Sequence, residues 1–290
     1  MKVLISDAFD ASLPERLKKF GEVTDDKSQL ADCQVVLIRS KTKVDQAYID
    51  SAPQLKLIIR GGVGLDNVDQ KYAKQRGIEV RNTPEASSVA VAELAFALMI
   101  SIPNRLIEAH NSMVAGRWDK KALKRSELMG KTLGLIGVGR IGTVLANRAR
   151  PFGMHVIGHD KYVTYSDMVE LRSLDEVLAA ADYLSLHVPL NEDTCNIINK
   201  KSIEKMKNGV VVINTGRGLC VDAGDMLEAL KSGKIAHYAT DVWPSDPPPA
   251  DYPILSAPNV TMLPHIGAST NENLLRIGDQ VIEILEHFKG

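Results

Sequence analysis

Three segments in the last third of the chain carry side chains that could do chemistry. In Val211-Val212-Ile213-Asn214-Thr215-Gly216-Arg217-Gly218, an arginine sits between permissive glycines just past an apolar run. Thr240-Asp241-Val242-Trp243-Pro244-Ser245-Asp246 puts two carboxylates past the next run, and Val260-Thr261-Met262-Leu263-Pro264-His265 puts a histidine past a third. Arginine is always charged, and its planar fork can grip a carboxylate with two parallel hydrogen bonds. Histidine titrates near neutrality, which makes His265 the natural proton acceptor. Asp246 could hold the imidazole in one tautomer and stabilise the imidazolium once a proton arrives. Base, orienting acid and anion anchor together suit proton removal from a hydroxyl beside a carboxylate.

A second pattern supplies the other half of such a reaction. Lys131-Thr132-Leu133-Gly134-Leu135-Ile136-Gly137-Val138-Gly139-Arg140-Ile141-Gly142 reads as a buried strand, a glycine turn and the start of a helix, and a second strand ends at His159-Asp160. Gly137 permits the tight turn, Gly139 lets the backbone approach a pyrophosphate, and Gly142 lets helix and strand pack closely. The helix N-terminus offers free N–H groups to phosphates. Asp160 follows Gly142 by 18 residues, near the ~20 expected for the carboxylate that binds an adenosine ribose. A 2′-phosphate would meet like charge there, so NAD is expected over NADP. Asp241 is placed by sequence to reach the cofactor's carboxamide, and His187 to form a wall of its pocket.

These groups need elements to position them. Short apolar runs alternate with helical patterns, which predicts parallel βαβ architecture. Strands are expected at Val3–Ser6, Val35–Arg39, Leu57–Arg60, Glu79–Arg81, Tyr183–His187, Val210–Asn214, Tyr238–Asp241 and Val260–Leu263. Helices are expected at Leu13–Phe20, Asn67–Gln75, Leu174–Ala180, Ala223–Lys231 and Glu272–His287, with a long one from Ser87 to Met113 broken or kinked at Pro103. Two α/β units result: a substrate-binding domain of 1–98 with 270–290, flavodoxin-like, and a Rossmann-type NAD-binding domain of 99–269. Both are doubly wound parallel sheets, with a ligand cleft between them.

Composition narrows the class. The 290 residues carry a net charge of −1 with pI near 6.7, so nothing draws the chain to nucleic acid or an anionic membrane. Cys33, Cys195 and Cys220 have no paired spacing, predicting buried free thiols in a reducing compartment and no metal site. The longest apolar stretch, Ala90 to Ile102, contains Glu93 and is too short to span a bilayer. A cytoplasmic protein is expected.

In motif order the chain resembles the D-isomer specific 2-hydroxyacid dehydrogenase family: GxGxxG, then N-x-x-R-G, then DV…E-P, then P-H. The likeness is greatest to its D-3-phosphoglycerate dehydrogenase branch, through Arg60-Gly61-Gly62-Val63-Gly64-Leu65-Asp66-Asn67-Val68-Asp69, Asn82-Thr83-Pro84 and Pro264-His265-Ile266-Gly267-Ala268-Ser269-Thr270. It implies Arg217, Asp246 and His265 as the catalytic set, although the family's acid is usually a glutamate. It implies cofactor contacts from Gly137, Gly139, Arg140, Ile141, Gly142, Asp160, His187, Val188, Pro189, Thr215, Gly216, Asp241, Gly267 and Ala268. It also implies substrate contacts: Arg39 and Arg60 for a phosphate, and the backbone N–H groups of Gly61, Gly62, Val63 and Gly64 for a carboxylate. The expected reaction is NAD-dependent oxidation of 3-phosphoglycerate to 3-phosphohydroxypyruvate, opening serine biosynthesis, in a homodimer joined through Pro103–Arg125. The chain's end at Gly290 implies a short form without a carboxy-terminal regulatory domain.

Other readings stand beside this one. His265 could be a satisfied core histidine, Asp246 a turn residue, Arg217 a surface arginine, and Arg39 and Arg60 partners of nearby acids. Lys120-Lys121-Ala122-Leu123-Lys124-Arg125 could add charge to a phosphate site or be a solvated face. Rival functions are a glyoxylate or hydroxypyruvate reductase, which usually lacks an arginine matching Arg60, and an NAD-sensing binding protein that works through partners.

Overall fold

In the computed structural model, which describes residues 1–288, the chain divides into two compact units. One comprises Met1–Ala90 together with the segment from Ala268, and the other comprises Val91–Gly267. Lys289 and Gly290, the end of the expected 270–290 segment, lie outside the described residues.

The first unit contains β1 (Lys2–Ile5), α1 (Leu13–Leu17), β2 (Glu22–Thr24), β3 (Val35–Ile38), α2 (Gln46–Asp50), β4 (Leu57–Arg60), α3 (Gln70–Gln75) and β5 (Glu79–Asn82). Its strands form a parallel sheet in the order β2-β1-β3-β4-β5, the flavodoxin-like arrangement. Alternation sorts the side chains. Val3, Val35, Leu37, Leu57 and Ile59 pack on one face with Leu13, Leu17, Ile277 and Val281, while Leu4, Val36, Ile38 and Ile58 pack on the other with Ile49 and Ala73. Asp45 and Asp69 cap α2 and α3 by accepting the N–H groups of Tyr48 and Tyr72.

The second unit takes in most of α4 (Ser88–Asn104), then α5 (Leu106–Val114), β6 (Thr132–Ile136), α6 (Arg140–Ala149), β7 (His155–His159), β8 (Glu170–Leu171), α7 (Leu174–Ala180), β9 (Tyr183–Leu186), α8 (Lys200–Lys205), β10 (Val210–Asn214), α9 (Ala223–Ser232), β11 (Ile235–Thr240) and β12 (Val260–Met262). Its seven strands are all parallel, in the order β12-β11-β10-β9-β6-β7-β8. The order reverses between β6 and β9, which opens a crevice at their carboxyl ends. Helices cover both faces, so β9 and β10 are buried at every position. The chain then returns to the first unit as α10 (Asn271–His287), whose Ile277, Val281 and Leu285 join that core.

Three expectations change. The long helix does not break at Pro103 but at Arg105, whose φ of 54° is left-handed, and α4 and α5 meet at 61°. Proline deprives the Met99 carbonyl of its donor, yet the helix continues one more residue. The Asn104 side chain there donates to the Ile100 carbonyl at 2.8 Å. Second, Cys33 and Cys220 are buried but Cys195 is exposed. Third, β2 and β8 are edge strands that no apolar run announced. No single helix among the described residues is long and apolar enough to cross a membrane.

Candidate active site

The glycine turn is built by close backbone approaches at the crevice. Gly137 has φ +97°, and a Cβ there would stand 2.6 Å from the His187 carbonyl oxygen. A Cβ on Gly142 would stand 2.3 Å from the Gly137 oxygen, so α6 can lie this close to the turn only with glycine at that position. At Gly139, the N-cap of α6, a Cβ would meet nothing within 4 Å. That open face beside a helix N-terminus is where a pyrophosphate fits. Arg140 and Ile141 open α6 beside it.

Asp160, just past β7, accepts from Val138 N–H at 2.8 Å through Oδ2 and from Tyr162 and Val163 N–H at 2.8 and 3.0 Å through Oδ1. Burial pushes its carboxyl up, but these N–H groups outweigh burial and leave its pKa below the usual value. It is therefore anionic at neutral pH and holds the glycine turn against the β7 end.

On the other side of β6, adjacent strands end in two enclosed polar atoms. Nδ1 of His187 and Oγ1 of Thr215 are shut from solvent with no partner among the described residues. The other ring nitrogen of His187 bonds Ser185 Oγ at 2.9 Å. The residue keeps some exposed surface, yet enclosure of the ring pushes its pKa down to about 4. Val188 and Pro189 continue this wall, and the Pro189 carbonyl accepts from Thr194 Oγ1 at 2.6 Å. A glycine cradle, a ribose-type carboxylate and unpartnered polar atoms on one sheet edge fit a dinucleotide.

The three candidate catalytic groups all lie in the second unit. His265 Nδ1 and Asp246 Oδ2 are 2.5 Å apart, so the shorter acid does reach the imidazole and leaves Nε2 for a substrate. His265 has φ 58°, a left-handed conformation that costs a non-glycine residue ~1–3 kcal/mol and persists only where neighbours enforce it. Asp241 does so from one side. It is 1% exposed, and its two oxygens accept the N–H groups of Ile266 and Gly267 at 2.8 and 2.7 Å. Burial raises its pKa against the pull of those two donors. Any carboxamide contact from Asp241 is left to its remaining lone pairs. Arg217 begins the turn after β10, its guanidinium bonded to the Gly216 carbonyl at 2.8 Å. Sequence reasoning gave no role to Asn214, whose side chain donates to the Arg217 carbonyl at 2.9 Å and accepts from Gly216 N–H at 3.1 Å. Its place in the N-x-x-R-G motif was the available signal.

In the first unit, Arg60 ends β4 beside Ile38, and Arg39 follows Ile38 directly. Arg39 donates to the carbonyls of Ala8 at 3.4 Å and Ala268 at 3.0 Å, and the latter also accepts from Asn273. Burial lowers the Arg39 pKa, and Asp7 opposes the shift. The expected row of four amides for a carboxylate is corrected by the geometry. Gly61 N–H already donates to the Ile38 carbonyl and Gly62 N–H to Thr83 Oγ1, at 2.8 and 2.7 Å. Of the four, the amides of Val63 and Gly64 have no partner among the described residues. Glycine at 62 serves another end, since a Cβ there would collide with the Arg60 guanidinium.

Residues 96–267 match the description D-isomer specific 2-hydroxyacid dehydrogenase, NAD binding domain. The chain belongs to that family. As a family member it is an NAD-dependent oxidoreductase, and the fit of its glycine turn agrees. It is 42% identical to a hydroxypyruvate reductase of Thermotoga maritima, over 97% of this chain and 96% of the relative. It is 41% identical to a D-3-phosphoglycerate dehydrogenase of Methanocaldococcus jannaschii, over 98% of this chain and 56% of that relative. The chain thus spans little more than half the length of the phosphoglycerate dehydrogenases it matches. Among solved structures, the NAD-dependent formate dehydrogenase of Staphylococcus aureus in complex with NAD superposes with a TM-score of 0.88 at 30% identity, covering 99% of this chain and 95% of that one.

His187 makes the dehydrogenase's stability pH-dependent. Its folded pKa of about 4 lies below the ordinary histidine value. The unfolded chain therefore binds the extra proton between about pH 6.5 and 4, and stability present above 6.5 is lost as pH falls through that window. The loss is bounded at about 3 kcal/mol. Urea unfolding of the apoprotein at pH 7.5 and pH 5 should show a larger drop for the native chain than for His187→Gln. Equal drops would show that residue 187 does not carry the effect.

Proposed function

We propose that this dehydrogenase acts on a phosphorylated 2-hydroxy acid, oxidising 3-phosphoglycerate to 3-phosphohydroxypyruvate or running the reverse reduction. The observation that carries the reading is the pair of arginines at neighbouring strand ends, Arg39 and Arg60. Arg60 is the register partner of Ile38 and Arg39 is the next residue, so both arginines stand at the carboxyl ends of adjacent strands ~4.8 Å apart. The Arg39 guanidinium donates to the neutral carbonyls of Ala8 and Ala268, while the Asp7 carboxylate accepts the Arg39 backbone N–H at 2.6 Å, which leaves guanidinium N–H groups to suit a dianionic phosphate. Bound NAD supplies the two-electron acceptor. His265 Nε2 removes the proton of the C2 hydroxyl, and Asp246 stabilises the imidazolium that forms. Arg217 grips the carboxylate and draws charge from the developing carbonyl oxygen. The Val63 and Gly64 amides are donors that the first unit offers to an anionic group.

The second reading is reduction of plain hydroxypyruvate, favoured by the 42% identical Thermotoga maritima relative. Substrate comparison separates the two. Each charge-assisted contact is worth roughly 1.5–3 kcal/mol, so Arg60→Ala should lower kcat/KM for phosphohydroxypyruvate about 10–150-fold. It should spare hydroxypyruvate reduction. Equal losses on both substrates would mean that Arg60 serves the fold or the carboxylate, and the phosphate assignment would fall.

Assignment of the base has its own test. His265→Ala should reduce kcat by ~10²–10⁴-fold while leaving NADH affinity nearly intact. A loss under about tenfold would require another base. It would also revive the reading of a binding protein with little turnover.

The reading includes a homodimer. Leu106, Ile107, Met113, Val114 and Trp118 are all at least half exposed, the last at 77%. A cluster of large apolar side chains on one segment is what an interface between copies requires. Sedimentation should find a dimer that Val114→Asp with Trp118→Asp converts to monomer, and an unchanged mass would remove this segment from the interface.

A further inference from the structure

Trp243 is not among the groups assigned to proton transfer or anion binding, yet it touches the segments that carry His265 and Arg217 and shares a loop with Asp246. The indole Nε1–H donates to the Leu263 carbonyl at 2.9 Å, two residues before His265. Its backbone presses on Gly218, where a Cβ would stand 2.3–2.7 Å from Trp243 backbone atoms, and Gly218 directly follows Arg217. Asp246 lies three residues further along the same loop, whose Ser245 Oγ donates to the Pro247 carbonyl at 2.8 Å. Tyr252 meets the indole edge-on, with centroids 6.1 Å apart at 79°, so the ring is fixed from its far side.

These contacts answer a specific mechanical need. His265 sits in a left-handed conformation that its own backbone disfavours. Asp241 holds the chain after it, at Ile266 and Gly267. Trp243 holds the chain before it, at Leu263. An aspartate also has one methylene less reach than a glutamate, so the loop bearing Asp246 has little slack before contact with the imidazole is lost.

We infer that Trp243 is a positioning residue, whose indole N–H sets the register between the Asp246 loop and the His265 loop. The inference rests on the roles proposed for His265 and Asp246, and its test separates the two. Trp243→Phe keeps a ring against Tyr252 but loses ring volume together with the N–H. Replacement by the nearly isosteric benzothienyl-alanine removes the N–H alone, and it covers the case in which the phenylalanine variant fails to fold. With NADH bound, kcat should fall about three- to tenfold, the effect of one lost hydrogen bond. KM for NADH and the thermal midpoint should stay near native values. In an Asp246→Asn background the same replacement should cost less than about twofold, because the contact it protects is already weakened. A kcat within twofold of native for the benzothienyl protein overturns the inference. So does an equal loss in both backgrounds, which would mark Trp243 as ordinary packing. If Asp246→Asn and His265→Ala themselves leave kcat unchanged, the underlying catalytic reading fails, and the positioning role falls with it.

Discussion

Every strand of the seven-stranded sheet runs in the same direction, and the chemistry of the second unit depends on that constraint. A parallel strand delivers the residues that follow it to one edge, whatever its place in the chain. Gly137, Asp160, His187, Thr215, Asp241 and Leu263 each come immediately after a strand, and together they lie along the carboxyl edge on which the strand order reverses between β6 and β9. Parallel neighbours cannot be joined by tight turns, so each connection needs a crossover, usually a helix. Helices on both faces then require strands that are apolar on both sides. That requirement explains Tyr183–Leu186 and Val210–Asn214, where no position is exposed.

Delivery to an edge does not give a working geometry, and the finer placement comes from backbone held by buried polar groups. Asp241 is the clearest case. An ionised carboxylate this deep would be costly, and two backbone N–H groups offset part of that cost while fixing the segment that carries His265. Asp160 does the same for the glycine turn through Val138, Tyr162 and Val163. Asn214 does it for Arg217. In each case a polar side chain at a strand end bonds the main chain of its own or a neighbouring loop. The functional side chains inherit their positions from those loops.

This division decides what could be read from the chain alone. Apolar runs marked most of their strands within a residue or two, because burial on two faces leaves a composition signal, although β11 starts three residues before the expected Tyr238. The glycine turn was readable because close approach admits one residue type. Strands β2 and β8 were not readable, being short edge strands with little to bury. Arg105 as the break point was hidden behind Pro103, the more obvious helix breaker, because a single arginine in the left-handed region leaves no signal in composition. The spent amides of Gly61 and Gly62 were hidden for a similar reason. Their partners, Ile38 and Thr83, lie about 20 residues away along the chain. The structure shows that the shorter acid still reaches the histidine, a matter that side-chain length alone left open.

Similar identity to a hydroxypyruvate reductase and to phosphoglycerate dehydrogenases follows from where substrate choice must reside. A base, its acid and a carboxylate grip serve any 2-hydroxy acid, so the second unit has no reason to differ between such enzymes. What distinguishes their substrates is the group beyond C2, a phosphate in one case and a plain hydroxyl in the other. A dianion asks for fixed positive charge, and a hydroxyl does not. On the proposed reading that difference is carried by two side chains at the ends of β3 and β4, a small fraction of the chain. Overall identity averages over hundreds of positions and is blind to it. The charge at Arg39 and Arg60 is therefore better evidence on substrate than the rank order of relatives, because it acts on the atoms that differ.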